Sequence, residues 1–171
     1  MMCVILFFIA AYVNVYGGNR DGAVTFSMGS GIYDFASKRQ IDNTSVPFAA
    51  LGYQFNPHWG IEGLLGIFNT DSHDPDDNCE QVNGTLVALD GIYHFSPYTK
   101  LEPFVLAGFG ILGMNPNGSN AHNLGNINAG IGAQIFADTS VALRFEARDF
   151  YTIVGGFNDL YFDAGLSFLW G

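Results

Sequence analysis

The chain has 171 residues and a formal net charge of −10, and 13% of its residues are charged, against about a quarter in an average soluble protein. Its six Lys and Arg residues are too few for a basic nucleic-acid-binding surface, so nucleic acid is excluded as a partner. The mean hydropathy is +0.19, yet after the first 16 residues no apolar run reaches the roughly 18–20 residues of a membrane-spanning helix. The 22 glycines and the 15% of aromatic residues favour strands and tight turns instead.

The first apolar stretch, Val4 to Val15, has the length of the apolar region of a secretory signal peptide. We therefore expect a signal peptide over residues 1–17 and one domain over residues 18–171, although the positively charged start of such a peptide is missing. A buried first strand or a core helix is the alternative for this stretch. Removal of the signal would leave Cys79 as the only thiol, which excludes an internal disulfide and a cysteine zinc site.

From Ala23 onward, apolar segments of strand length alternate with turns rich in Asn, Asp, Gly, Ser and Pro. The pattern predicts eight strands, over residues 22–35, 45–56, 59–69, 82–95, 101–114, 125–137, 140–152 and 160–170. Short and longer connections alternate between them, as is typical of transmembrane barrels with periplasmic turns and extracellular loops. The expected fold is all-β: an eight-stranded antiparallel up-and-down transmembrane β-barrel, with both ends of the domain on the periplasmic side.

Each predicted strand alternates with a period of two residues. In the segment 125–137, for example, Ile127 and Ile131 alternate with Asn128 and Gly132. One face of the strands is almost free of charge, and the other carries amides, glycines and ions. A water-soluble barrel places its apolar face inside. The pattern therefore predicts a lipid-facing apolar exterior and a polar lumen, and it argues against a soluble lipocalin-type carrier, whose pocket needs an apolar interior.

Aromatic residues of the apolar face are concentrated beside the short turns and near the C-terminus, which the topology puts at one rim of the barrel. Aromatic rings with a polar group favour the membrane–water interface. We therefore predict a periplasmic aromatic girdle. Its members are Tyr53, Phe55, Trp59, Tyr93, Phe95, Phe168 and Trp170.

The polar face carries two arginines and five acidic residues. The lumen of an eight-stranded barrel is just wide enough for side chains to fill, and a buried charge without a partner costs several kcal/mol. The arginines are therefore expected to bridge carboxylates in a lumen ion network. Its predicted members are Glu62, Asp90, Glu102, Arg144, Glu146, Arg148 and Asp163. The favoured role is a structural plug, and the alternative is a gate in which an exchange of partners opens a narrow ion path.

Asp149 falls on the lipid-facing side of the predicted seventh strand. Two interpretations stay open. The residue lies at an interfacial depth, where an acid costs little, or a β-bulge turns it inward.

The acidic segment between the predicted third and fourth strands is a weak candidate for a divalent-cation site, because oxygen-rich clusters suit calcium. Its carboxylates are those of Asp71, Asp74, Asp76, Asp77 and Glu80, with His73 among them. A solvated loop is the preferred interpretation, so we expect no metal and no other cofactor.

Hydrolytic or acyl-transfer chemistry would need a Ser–His pair with an acidic residue that orients it. We interpret His94 as a lumen-packing residue and expect no enzymatic activity.

Four stretches carry a resemblance to a known family: NRDGAVTFSMGSGIYDF, ALGYQFNPHWGIE, PFVLAGFGILG and GNINAGIGAQIFADTSVALRFEARDFY. With them the chain resembles the N-terminal transmembrane domain of the OmpA family, in its γ-proteobacterial branch, over nearly all of the mature part. The periplasmic peptidoglycan-binding domain of many members has no counterpart before Gly171, so peptidoglycan attachment is not carried over. The family's interior charges correspond in type to Glu62, Arg144 and Glu146, and its terminal aromatic residue corresponds to Trp170.

The resemblance implies an integral outer-membrane protein of a Gram-negative bacterium that supports envelope integrity and surface interactions, with weak permeation of small solutes or ions. A slow small-solute porin is the alternative, and an outer-membrane lipid-modifying enzyme is a distant second one. The expected partners are outer-membrane lipid and lipopolysaccharide, the barrel-assembly machinery during insertion, and surface ligands of a host or a phage at the loops.

Overall fold

The computed structural model describes residues 17–37, 42–71, 81–116 and 122–171, so the predicted signal peptide lies outside the described residues except for Gly17. The strands are β1 (Val24–Asp34), β2 (Thr44–Gln54), β3 (Trp59–Asp71), β4 (Gln81–His94), β5 (Leu101–Pro116), β6 (His122–Asp138), β7 (Val141–Thr152) and β8 (Phe157–Trp170). Neighbours in the chain pair antiparallel, and β8 pairs with β1 to close the barrel. The predicted fold class is confirmed. No helix within the described ranges is long and apolar enough to cross a membrane.

The register gives the barrel its stagger. Ladder partners followed once around the barrel from Val24 lead back to β1 at Asp34, ten residues further on. The path passes through Tyr53, Ile61, Gly91, Ala107, Ala129, Asp149 and Leu160, and we call it the Val24–Asp34 row. An eight-stranded barrel of this kind has strands tilted by roughly 40°. At about 3.3 Å per residue, the row then climbs by about 25 Å along the barrel axis, which is the usual height of the lipid-facing band.

Burial alternates along the strands as the sequence predicts. On β7, Arg144 and Arg148 are buried, whereas Leu143 and Phe145 are 45% and 47% exposed. The exposed side chains of the other strands are mostly large and apolar, and Ile131 on β6 is 65% exposed. A surface of this kind is unfavourable in water and favourable in hydrocarbon. The prediction of an apolar exterior is therefore confirmed.

The side chain of Asn56 stabilises the first periplasmic turn. The Oδ1 atom of Asn56 accepts hydrogen bonds from the backbone N–H groups of His58 and Trp59, both at 2.9 Å. Asparagine favours turns because its side chain can replace a backbone acceptor in this way. The other two periplasmic turns cover residues 95–100 and 139–140.

The extracellular connection between β7 and β8 is shorter than predicted. It covers only residues 153–156, and Gly155 and Gly156 have φ angles of 95° and 63°. Glycine adopts this left-handed conformation without steric cost, so the chain reverses quickly and β8 begins at Phe157. The prediction of longer extracellular connections applies best to the segments 35–43 and 72–80.

Candidate functional site

A continuous chain of ion pairs crosses the centre of the lumen. Arg144 of β7 donates two hydrogen bonds to Glu62 of β3, from Nη1 to Oε2 at 2.5 Å and from Nη2 to Oε1 at 2.7 Å. Glu146 accepts from Arg144 Nη2 at 2.5 Å and from Arg148 Nε at 2.6 Å. Arg148 Nη1 donates to Asp90 Oδ2 of β4 at 2.7 Å. These five residues, each at most 5% exposed, form the lumen ion chain.

The local sequence of β7 explains how both arginines reach the lumen. Its period of two directs Arg144, Glu146 and Arg148 inward in succession. The neighbouring strands place glycines opposite them in the register, and these are Gly130 and Gly132 of β6 and Gly165 of β8. Because a glycine leaves lumen volume free, two guanidinium groups fit into a barrel of only eight strands.

Asp163 lies beside the lumen ion chain and is not hydrogen-bonded to it. It faces Glu146 in the β7–β8 register and is 7% exposed. Neither of its carboxyl oxygens has a hydrogen-bond partner among the described residues. The lumen centre thus holds four carboxyl groups for two guanidinium groups. Buried polar atoms of this kind normally bind water.

Glu102 was grouped with this network by sequence, but the structure places it in a separate cluster near the periplasmic mouth. His94 Nδ1 lies 2.8 Å from Glu102 Oε1, and Asn19 donates to Glu102 from its backbone N at 3.1 Å and from Nδ2 at 2.5 Å. Gln54 Nε2 lies 3.3 Å from His94 Nε2. Asn19, Gln54, His94 and Glu102 form the periplasmic polar cluster.

The sequence does not predict that Asn19 and Gln54 belong to this cluster. Strand parity puts Gln54 and His94 on the inner face, but it does not tell which inner residues meet across the lumen. The contact of Asn19 depends on the segment before β1, whose residues 17–19 are buried at the periplasmic end of the barrel. Only the closed tertiary structure brings these groups together.

The extracellular half of the lumen is less polar than the sequence predicts, because aromatic rings lie among its buried polar residues, such as Asn126 and Asp159. Tyr33, Phe35, Phe68, Phe150 and Tyr161 are buried there and form the extracellular aromatic cluster. The ring centroid of Tyr33 lies 4.6 Å from that of Phe35, 5.8 Å from that of Phe150 and 6.1 Å from that of Phe68. Aromatic rings fill the narrow interior here, and the hydroxyl groups of Tyr33 and Tyr161 donate to Asp159 and to the backbone oxygen of Val46. Four of the five rings belong to strands and occupy inward-facing positions of the two-residue alternation. This alternation is the sequence feature from which their burial in the lumen could be predicted.

The seven aromatic residues predicted for the girdle point outward at the periplasmic ends of four strands. Tyr53, Phe55, Trp59, Phe95 and Trp170 are 44–55% exposed, and Tyr93 and Phe168 are half-buried. Several rings touch, with centroid distances of 4.8 Å for Trp59–Tyr93, 5.1 Å for Tyr93–Phe95 and 6.2 Å for Phe168–Trp170. These outward aromatic side chains therefore form separate groups at the periplasmic end of the barrel, where both ends of the domain lie.

Asp149 points outward and is exposed. The β6–β7 ladder shifts its register only between Phe136 and Asp138, far from Asp149, so no bulge turns this residue inward.

Of the acidic candidate metal loop, residues 72–80 and the side chain of Asp71 lie outside the described residues. Within the described ranges, no group of three or more His, Cys, Asp or Glu residues could hold a metal ion.

Comparison with known proteins agrees with this geometry. Residues 2–168 match the family described as outer membrane protein β-barrel domain. The N-terminal β-barrel domain of Pseudomonas aeruginosa OprF is 18% identical, with a TM-score of 0.68 over 89% of this chain and 100% of that one. OprG of Pseudomonas aeruginosa is 10% identical, with a TM-score of 0.74 over 91% and 99% of the two chains. Ail of Yersinia pestis, in complex with the heparin analogue sucrose octasulfate, is 12% identical, with a TM-score of 0.64 over 88% and 99%.

No curated protein sequence matches the chain. The structural likenesses, all below 25% identity, concern the fold, and the family match covers almost the whole chain. Together with the closed eight-stranded barrel and its apolar exterior, they identify an integral outer-membrane protein of the OmpA type. The chain belongs to the outer membrane protein β-barrel domain family.

Proposed function

We propose that this chain is a structural protein of the outer membrane, which supports envelope integrity and exposes its loops to surface interactions. The observation that carries the proposal is that side-chain clusters occupy the lumen at three successive heights. The periplasmic polar cluster, the lumen ion chain and the extracellular aromatic cluster follow one another along the barrel axis. A barrel filled in this way is suited to anchoring and support, because an open solute path would need side chains of all three layers to move.

The proposed partners follow from the surfaces. Lipid and lipopolysaccharide contact the apolar exterior, and the barrel-assembly machinery recognises the C-terminal strand near Trp170 during insertion. The relative Ail has been solved with a heparin analogue, which is a polyanion. By contrast, the segment 72–80 of this chain carries four acidic residues. The surface ligands of this chain are therefore proposed to be cationic. We assign the chain no enzymatic role, since the described side-chain contacts of His94 are with Glu102, Gln54 and Phe104 rather than with a serine.

The test combines a cellular and an electrical measurement. A strain that lacks the protein is expected to become more sensitive to detergent, and re-expression of the full chain is expected to restore the barrier. In planar bilayers the purified protein is expected to give no steady conductance. Steady single-channel currents from the wild type, together with normal detergent resistance of the deletion strain, would overturn the proposal.

Slow permeation of small solutes or ions is the second candidate, and one observation favours it. Several buried polar atoms of the lumen have no hydrogen-bond partner among the residues that the structure describes, including both carboxyl oxygens of Asp163 and both side-chain polar atoms of Asn126. Such groups can carry water through a lumen whose ion pairs exchange partners. Removal of Arg144 should then raise the conductance, so unchanged currents for Arg144→Ala would eliminate this candidate.

A further inference from the structure

The barrel wall opens between β2 and β3 at its extracellular end. Within the described ranges, the ladder that joins these two strands ends at Phe48 and Gly66, although both strands continue beyond this pair. Above it, the Oγ1 atom of Thr44 donates to the backbone oxygen of Asn69 at 2.7 Å, so a side chain supplies the donor that a ladder takes from the backbone. We call the part of this wall above the last ladder pair the β2–β3 seam.

Pro47 explains where the ladder stops. Backbone N–H groups alternate between the two sides of a strand, and Gln54 of β2 donates to Ala23, on the side of β1. Pro47 lies an odd number of residues before Gln54, so its backbone nitrogen points to β3. A proline nitrogen has no hydrogen to donate. The ladder therefore ends at the residue next to Pro47.

Three asparagines form a row on the outer face of the wall beside the seam. Asn69 pairs with Asn83 in the β3–β4 register, and Asn83 pairs with Asn115 in the β4–β5 register. All three side chains are exposed. Because neighbouring strands lie about 4.8 Å apart, these residues, which we call the asparagine row, span about 10 Å. This length is comparable with that of a disaccharide.

The seam and the asparagine row line a common cleft of about 630 Å³, which we call the outer cleft. Ser45 and Thr85 add two hydroxyl groups to it, and Phe68 of the extracellular aromatic cluster lines it on the lumen side. None of its described lining residues is charged. Asparagine, serine and threonine side chains both donate and accept hydrogen bonds. The outer cleft therefore suits a neutral partner that is rich in hydroxyl and amide groups.

The outer cleft lies at the extracellular edge of the apolar band. Asn69 lies eight residues above Ile61, which is two steps above Val24 in the Val24–Asp34 row. At about 2.5 Å of height per residue and about 3 Å per step, Asn69 lies close to the level of Asp34, about 25 Å above Val24. The outward side chains directly below are apolar and exposed, and these are Leu65, Ile67, Val87 and Ile111. The cleft thus faces the headgroups of the outer leaflet.

The outer leaflet of an outer membrane consists of lipopolysaccharide. Its membrane anchor, lipid A, is an acylated glucosamine disaccharide that carries hydroxyl groups, amide-linked acyl chains and phosphates. A site for the phosphates would need cationic side chains, and the outer cleft has none among its described lining residues. Its amides and hydroxyls instead match the sugar hydroxyls and the amide links, and the apolar residues below match the acyl chains.

We propose that the outer cleft binds the disaccharide of lipid A, with sugar hydroxyl and amide groups hydrogen-bonded to the asparagine row and an acyl chain lying over Ile67 and Val87. The proposal rests on the proposed function only in taking lipopolysaccharide as the surrounding lipid. Recognition by neutral hydrogen bonds has a specific consequence. The affinity depends on the asparagines and changes little when the phosphates are removed.

Native mass spectrometry of the full chain, folded in micelles of a neutral detergent, tests the proposal. The protein is titrated with lipid A, with dephosphorylated lipid A of the same acylation, and with phosphatidylethanolamine. The wild type is expected to bind the two forms of lipid A equally to within about twofold, and both at least about fivefold more tightly than phosphatidylethanolamine. Asn83→Leu/Asn115→Leu is expected to weaken the binding of both forms about five- to tenfold.

Asn158→Leu is the matched control. Asn158 is also an exposed, outward asparagine, and it lies two residues above Leu160 of the Val24–Asp34 row, close to the level of Asp34. It belongs to β8 and does not line the outer cleft, so this variant should keep the wild-type affinity for lipid A. Heat-modifiable migration on a gel verifies that each variant is folded.

An unchanged affinity for lipid A in the double variant would overturn the proposal, as would an equal loss in Asn158→Leu. Loss of most of the affinity on dephosphorylation would also overturn it, because the site would then depend on charge. Binding of the unacylated glucosamine disaccharide as tightly as lipid A would overturn it in favour of a site for a soluble glycan. The detergent sensitivity of the deletion strain, which tests the proposed function, uses none of these variants, so the two proposals can fail separately.

Discussion

The substitution Arg144→Met tests how much the lumen ion chain stabilises the barrel. It removes three hydrogen bonds to carboxylates, two on Glu62 and one on Glu146. Each such bond contributes about 1.5–3 kcal/mol, but loss of the buried guanidinium also removes its own desolvation cost. Glu62, which is 3% exposed, is left with a buried carboxylate and no arginine. We therefore expect the free energy of unfolding to fall by about 3–5 kcal/mol.

Urea unfolding in lipid vesicles, followed by the fluorescence of Trp59 and Trp170, measures this change. Lys100→Met is the control, because Lys100 is exposed in a periplasmic turn and its loss should change the free energy of unfolding by less than about 0.5 kcal/mol. The double variant Glu62→Leu/Arg144→Met leaves no unpaired Glu62 and should be more stable than Arg144→Met alone. A loss below about 1 kcal/mol for Arg144→Met, or strictly additive effects in the double variant, would refute this reasoning.

Two glycines give further tests, which the same urea titration can measure. A Cβ at position 84 would meet the ring of Phe68 in the extracellular aromatic cluster, so Gly84→Ala should cost about 1–3 kcal/mol. Gly125→Ala, where nothing lies within 4 Å of the new atom, should be close to neutral, and equal losses at both positions would contradict the packing argument. Gly156→Ala should cost about 1–2 kcal/mol because its φ angle is 63°, and Gly156→Asn should cost less; an equal or larger loss for Asn would contradict it.

The predicted strand bounds agree with the structure to within three residues. A strand with one face toward lipid and the other toward the lumen must alternate apolar and polar residues, and the turns between strands need particular residue types. One of the two largest errors, at the start of β8, occurs where local backbone conformation sets the strand end. Gly155 and Gly156 adopt positive φ angles and shorten the last extracellular connection, so β8 begins three residues earlier than expected. A glycine pair in the sequence is compatible with a tight turn and also with a long loop.

The candidate site was only partly predictable. Parity identifies Glu62, Arg144 and Glu146 as inner residues, and they do meet in the lumen. Parity also groups Glu102 and Asp163 with them, although one pairs with His94 and the other makes no hydrogen bond within the described ranges. For Glu102 the reason is height, since residues on the same face meet only if stagger and tilt bring them to the same level. Asp163 lies level with Glu146, but two carboxylates offer each other no hydrogen-bond donor.

By itself, the sequence determined the number of strands, the face that meets lipid and the end that carries the aromatic residues. These properties depend on periodicity and turn chemistry, which act over a few residues. Only the tertiary structure decided that the lumen is layered, with aromatic rings above the ion pairs and a polar cluster below them. The structure also decided that Asp149 points outward, because the β6–β7 register shifts only between Phe136 and Asp138. The layering depends on the ten-residue stagger of the closed barrel, which sets the height of every residue and arises only when β8 pairs with β1.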